Sequence, residues 1–417
     1  MTPLAEQDEL GGHRHVGELS WRPVALPGLR AVTERTRAAA GLQRCGPTRG
    51  TRRHPQKGPP LRAVKEKVNK GKPWAAPRTR VRAVPAVCNG SFYQGVPHGA
   101  GAAMTSIVTT LHFPARPDWV ARTQMLDRGR MPASRLLRRL LVDPMPDDVV
   151  VLDGAIGWRG GYLDRLAAAG LARRRRSPRI VITDSTWTPG WGRRAALRSF
   201  DSPRTTYCVL STAEQQSFPG NWGVDPARVF CTPFYWTLPA KPSGLHQGGS
   251  GVFAGGDSLR DYRTLLAAAQ HLSTRVMVAT NWRPAGPVPD NVVVAPASPV
   301  QFLDLLGRSA VVVVPLRQGL IRSAGQQTYL NAMALGKVVV VTDAPGVRDH
   351  VDDGQTGLVV PPADPVALAE ALAWATDPAN SAECRDIGLR AHHAATERFS
   401  PDQYVGRLLA VIDSLAA

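Results

Sequence analysis

The stretch "RSAGQQTYLNAMALGKVVVVTDAPG", Arg322 to Gly346, decides how this chain is read. It holds a turn of small residues (Ser323-Ala324-Gly325), a helical segment Gln326–Leu335, a stop at Gly336, an apolar strand, and a second turn at Pro345-Gly346. Glycine is a natural helix terminator. A strand that is apolar at every position belongs in a parallel sheet covered on both faces. Four polar residues, Ser323, Gln326, Gln327 and Thr328, gather where the helix begins. A helix N-terminus offers free N–H groups and partial positive charge, so the place suits a phosphate. The plainer reading is that Ser323 caps the helix.

The same rhythm runs outward in both directions. Downstream, "GLVVPPADPVALAEALAWATDP" gives a further strand and helix, and "ERFSPDQYVGRLLAVIDSLA" an amphipathic closing helix, with Ser400 as cap and Pro401 as first helical residue. Upstream, "GVFAGGDSLRDYRTLLAAAQHL", "RVMVATNW", "NVVVAPA" and "FLDLLGRSAVVVVPL" bring this half to about six strands. The Pro/Gly/Ser-rich "LPAKPSGLHQGGSG" (Leu238–Gly251) reads as a linker. Before it, "DVVVLDGAIGW", "RIVITDSTW", "TYCVLSTAE" and "RVFCTPFYW" read as buried strands separated by helices, with "MTSIVTTLHFPARPDW" from Met104 as the first. The expected fold is α/β: two doubly wound Rossmann-type domains, 104–240 and 241–417, with strand C-termini facing each other across a cleft.

Residues 1–103 differ in texture. They carry 18 Lys/Arg against 6 Asp/Glu, whereas the rest of the chain carries 33 against 27. The Arg/Pro/Gly-rich "CGPTRGTRRHPQKGPPLRAVKEKVNKGKP" has the composition of a disordered basic segment. Such an arm can touch nucleic acid or acidic lipid; alternatively it is a passive extension translated upstream of Met104, which is the expectation here. Nucleic-acid binding is not expected, because the excess charge sits in a tail with few aromatic residues. Five scattered cysteines without a C-x-x-C pair argue against a disulfide framework and a zinc site. No apolar run reaches the length of a membrane span, and the N-terminus lacks an apolar signal core. A cytoplasmic location is expected.

"YLNAMALGKVVVVTDAPGVRDHVDDGQTGLVVPPADPVALAEAL", with the glycine turn of "VFAGGDSLRDYRTLLAAA" before it and "RDIGLRAHHAATERFS" after it, resembles the donor-binding half of the group 1 (family 4) glycosyltransferases of GT-B fold. The resemblance runs from about Gly251 to Phe399 and is weak before that, mainly "VLSTAEQQSF" and "WGVDPARVFCTPF". It implies transfer of a sugar from a nucleotide-diphosphate donor, UDP- or GDP-linked, held by the second domain. The acceptor, held by the first, would be a glycan, a lipid-linked molecule or a small molecule, and no cofactor is implied. Members carry two glutamates separated by seven residues; those positions fall here on Ser323 and Asn331. Asn331 can hydrogen-bond a ribose diol without charge, but Ser323 cannot replace a carboxylate. Of the family's diphosphate-binding Arg/Lys pair, Arg260 takes the Lys position and Gly255 the Arg position.

The residues' own chemistry agrees in part. Arg260 and Arg263 follow the Gly255-Gly256 turn, and Arg317 and Arg322 flank the Ser323 loop. Four guanidinium groups at strand C-termini can neutralise a diphosphate. The expected donor site therefore comprises Gly255, Gly256, Arg260, Arg317, Arg322, Ser323, Ala324, Gly325, Gln326, Gln327, Thr328 and Asn331, with no metal. A retaining enzyme needs no protein base, since the leaving phosphate takes the acceptor proton; this is the expected course. An inverting one would draw on Asp184, Asp153 or His112, although a loop aspartate equally serves a turn. "GAIGWRGGY" (Gly154–Tyr162) reads as an acceptor loop. The basic stretches Ser134–Asp143 and Arg173–Arg176 suit peripheral contact with the inner face of a membrane, or simply a solvated face. The competing readings are a catalytically impaired nucleotide-sugar-binding protein, favoured by the missing glutamates, and a nucleotide-sugar epimerase, which the motifs do not favour.

Overall fold

The computed structural model describes residues 105–126, 149–154, 161–174, 177–242 and 248–416, with isolated positions between 132 and 142. All belong to one unit, Val68–Ala417. The basic segment 1–103, most of Ser134–Asp143, the core of the Gly154–Tyr162 loop, Arg175-Arg176 and 243–247 lie outside the described residues.

Two six-stranded, all-parallel sheets form, as expected. The first runs in the order β2-β1-β3-β4-β5-β6 and the second β12-β11-β10-β7-β8-β9. In the first, β1 is Ile107–Thr109, β2 Thr123–Met125, β3 Val149–Asp153, β4 Arg179–Thr183, β5 Thr205–Val209 and β6 Val229–Cys231. In the second, β7 is Val252–Gly255, β8 Val276–Ala279, β9 Val292–Ala295, β10 Val311–Val314, β11 Val338–Thr342 and β12 Leu358–Val360.

Valine-rich strands are buried on both faces. In β10, Val312 and Val314 join one core while Val311 and Val313 join the core on the opposite face, as the two-residue period of a strand requires. Helix Gln326–Ala334 follows the strand exit and stops before Gly336, whose φ of 71° is the left-handed turn that glycine permits.

The closing helix Pro401–Ala416 follows the second lobe in sequence, and its apolar face packs on the first sheet. Tyr404, Val405, Leu408 and Ile412 share a core with Ile107, Val149, Val151, Val181 and Cys208. The amphipathic pattern foretold a buried stripe; it could not say which sheet lacked a cover. Among the described residues no helix is long and apolar enough to cross a membrane.

Leu408 is fully buried in that core. Leu408→Ala is expected to cost about 2–5 kcal/mol in denaturant unfolding. A loss below about 1 kcal/mol would show that the helix does not seal the first sheet.

Candidate functional site

In the second sheet the chain departs from β7 towards β8 and from β10 towards β11, so neighbours β7 and β10 part company. Such a switch point opens a crevice beyond the strand C-termini. The chain leaves β7 through Gly255 and Gly256 and doubles back over the exit of β10: Arg260 bridges to Leu316, and Asp261 N donates to Pro315 O at 2.9 Å. The turn is strained. Gly256 has φ 100°, and Leu259, which carries a Cβ, has φ 59°, a conformation costing about 1–3 kcal/mol.

This turn drives Arg260 inward, to 8% exposure. Its Nε donates to Gly255 O at 3.1 Å, Nη1 to Ser258 O at 2.8 Å, and Nη2 to Thr328 Oγ1 at 3.2 Å. All three acceptors are uncharged. Burial lowers the guanidinium pKa, an effect that Tyr262 and Asp257 only partly oppose. Asp257 is itself occupied by Thr280 Oγ1 and by the N and Nδ2 of Asn281. Gly325 faces Arg260 with φ 78°; a Cβ there would meet Val314 Cγ1 at 2.7 Å. Only glycine lets helix Gln326–Ala334 begin this close to the guanidinium.

Several expected donor residues are placed otherwise. Ser323 is 2% exposed, and its N and Oγ donate to the Glu214 carboxylate at 3.1 and 2.6 Å. The corner assigned to a diphosphate is thus closed by an anion of the first lobe, with Ala324 buried beside it. Gln326 Nε2 donates to Leu210 O at 3.3 Å. Asn331 Oδ1 accepts from Thr237 N at 2.6 Å, and Gln327 Nε2 donates to Thr237 Oγ1 at 2.9 Å. These two side chains hold the segment joining the lobes, and both ends of the Asn331 amide are engaged by Thr237.

Of the four arginines, Arg260, Arg263 and Arg317 line one cavity and Arg322 does not. Arg317 is exposed and donates from Nε to Arg260 O at 3.2 Å. With Arg260, Arg263, Tyr262 and Trp282 it lines a cavity of about 370 Å³. Arg322 bridges the lobes: its Nε donates to Thr188 Oγ1 of the first lobe at 3.2 Å and its Nη2 to Ser258 Oγ of the glycine turn at 3.5 Å.

The first sheet has its own switch point between β1 and β3. Asp153 ends β3, and exposed His112 follows β1. Asp153 N donates to Asp164 Oδ2 at 2.9 Å, and Thr110 Oγ1 to the same oxygen at 2.7 Å. Asp184 leaves β4 with φ 48° and accepts from Tyr404 Oη at 3.2 Å. Burial, and after it Asp153, pushes its pKa up to about 7. Among the described residues, no hydrogen bond links His112 to either aspartate.

The sequence reading missed Glu214, Asp349 and Tyr404. Ser211-Thr212-Ala213-Glu214 looks like a helix cap with an acidic third residue, and Ser211 Oγ does accept from Glu214 N at 3.1 Å. That local role hid the reach across the lobes. In return Asp349 of the second lobe accepts from Thr212 N at 2.7 Å and from Thr212 Oγ1 at 2.6 Å. Such reciprocity has no local signal.

Asp184 binds its proton more tightly in the folded chain than in the unfolded one. Its contribution to stability is fully present below about pH 4 and is lost as pH rises through about 7. Asp184→Asn, neutral at every pH, is expected to lose less stability than wild type across that window in urea unfolding. Parallel pH profiles would contradict the shift.

Residues 263–377 match the family model "Glycosyl transferases group 1". No curated protein sequence gave a match. Among solved structures, HepE from Anabaena in complex with UDP is similar at 15% identity over 68% of this chain and 82% of that one, with a TM-score of 0.51. A glycosyltransferase from Rickettsia africae is similar at 13% identity, over 64% and 77%, with a TM-score of 0.49. At these identities the likeness is one of fold, and the HepE match carries it. The chain has the two-lobed GT-B architecture, and the stretch that matches the group 1 glycosyltransferase model begins just downstream of Arg260.

Proposed function

We propose that the protein is a glycosyltransferase that moves a sugar from a nucleotide-diphosphate donor, UDP- or GDP-linked, to an acceptor held by the first lobe. One observation carries this reading: the buried Arg260 guanidinium at the β7/β10 crevice has only uncharged acceptors. A buried cation whose hydrogen-bond acceptors are all neutral is costly; Asp257 attracts it without pairing with it, and a diphosphate would supply the remaining charge. The donor's phosphates would lie against Arg260, Thr328 Oγ1 and the glycine turns at Gly256 and Gly325; Gly255 is buried in β7 beneath Phe302, its carbonyl taken by Arg260. Ser323 and Asn331 are left out, their side chains being engaged elsewhere. The location would be cytoplasmic.

Arg260 then offsets the charge that grows on the leaving diphosphate, a preorganised electrostatic role that asks for no metal. The reaction runs with retention, the leaving phosphate taking the proton of the acceptor hydroxyl. A second reading, inversion with Asp184 as base, is favoured by the Asp184 pKa near 7, where a carboxylate both exists and accepts protons well. The anomeric configuration of the product, read by proton NMR, separates the two. Retention leaves Asp184→Asn active, whereas inversion makes it inactive.

Arg260→Gln, titrated calorimetrically with UDP and GDP, is expected to weaken the preferred nucleotide about 10- to 100-fold, the worth of a charge-assisted contact to phosphate. An unchanged affinity would remove Arg260 from the site and the reading with it. Nucleotide-sugar binding without turnover or hydrolysis of any donor would favour the impaired-binder alternative.

A further inference from the structure

A second group of guanidiniums meets at the boundary between the lobes. Thr188 follows β4, and its carbonyl accepts from Arg193 Nη1 at 2.9 Å while its hydroxyl accepts from Arg322 Nε at 3.2 Å. One residue of the first lobe thus gathers an arginine from each lobe. Beside it, Arg165 lies over the Trp187 ring, 5.4 Å from its centroid. The Arg165 Nε is buried and has no hydrogen-bond partner among the described residues. None of the three makes an ion pair among the described residues. Arg193 disfavours the charge on both of the others, after burial. Asp153 attracts Arg165 and Glu214 attracts Arg322, each from beyond ion-pair distance. Two cations held by neutral acceptors, and a third that lies over an aromatic ring with an unused N–H, form an incomplete arrangement that a dianionic group completes.

We propose that Arg165, Arg193 and Arg322 form an interlobe anion site that holds a phosphate of the acceptor. The assignment to the acceptor rests on the proposed transferase function: two of the three side chains belong to the first lobe, near the strand ends bearing Asp153 and Asp184, whereas the donor phosphates lie at Arg260. The phosphate is carried either by a soluble phosphomonoester or by a lipid. Helix Trp191–Arg198 bears on the lipid alternative, because Trp191 is 90% exposed and Arg193, Arg194 and Arg198 are exposed with it. An exposed tryptophan among arginines suits an anionic lipid surface.

The test is calorimetric titration of the full chain, saturated with UDP, with inorganic phosphate and with glycerol phosphate. Wild type is expected to bind, and Arg165→Gln and Arg193→Gln are each expected to weaken binding at least about tenfold. Both variants should keep wild-type UDP affinity, which also reports that they fold. Loss of phosphate binding on UDP saturation would overturn the proposal by assigning these arginines to the donor, and wild-type phosphate affinity in both variants would overturn it outright. If UDP does not bind at all while the variants still lose phosphate, the site stands and the transferase reading fails. For the source of the phosphate, retention on phosphatidylcholine vesicles containing phosphatidylglycerol, reduced by Arg193→Gln and by Trp191→Ala, supports a lipid-borne group. Glycerol phosphate binding without such retention supports a soluble one.

Discussion

The guanidinium of Arg260 is the constraint on which the functional reading of the second lobe depends. It is buried between two glycine turns, and every acceptor it reaches is neutral. Folding places it there through a strained turn, with Leu259 in the left-handed region and the chain laid back over β10. Strain and a charge that Asp257 only partly offsets both work against stability at this point, and on the proposed function a donor diphosphate at the switch-point crevice would supply the rest. The helix beginning at Gln326 contributes through Thr328 and through the glycine that lets it come close.

The lobes are joined around this crevice by reciprocal capping. Glu214 of the first lobe receives the Ser323 N–H and hydroxyl, and Asp349 of the second receives those of Thr212. Each carboxylate satisfies donors in the loops and helix starts of the opposite half, so the two sheets meet through their strand exits. The burial that raises the pKa of Glu214 is opposed first by Ser323 and then by Ser211. The closing helix adds a further tie, since it leaves the second lobe to cover the first sheet and brings Tyr404 onto Asp184.

Much of the fold was legible in the sequence because burial on both faces of a parallel sheet leaves unbroken valine runs such as Val311–Val314 and Val338–Val341. The glycine turn at Gly255-Gly256 and the stop at Gly336 were legible for the same kind of reason: backbone geometry restricts the residue type. What escaped was pairing between distant parts. Ser323 offers an anion site from its neighbours alone, but a carboxylate more than a hundred positions upstream already fills it. Asn331 has no local partner in the sequence, and in the fold its Oδ1 accepts from Thr237 N, 94 positions away. Leu408 and Tyr404 announced a buried helix face without naming the sheet beneath. The Arg165, Arg193 and Arg322 group was invisible for the same reason, since only the folded chain brings those three side chains to Thr188 and Trp187.

The most direct measurement of the central claim is a thermal-shift comparison of the wild-type chain with uridine or guanosine, with inorganic pyrophosphate, and with UDP or GDP. If a diphosphate completes the buried cation, pyrophosphate alone raises the melting temperature, the nucleoside diphosphate raises it further, and the nucleoside without phosphates has little effect. Equal stabilisation by nucleoside and nucleotide, or no response to any diphosphate, would contradict it.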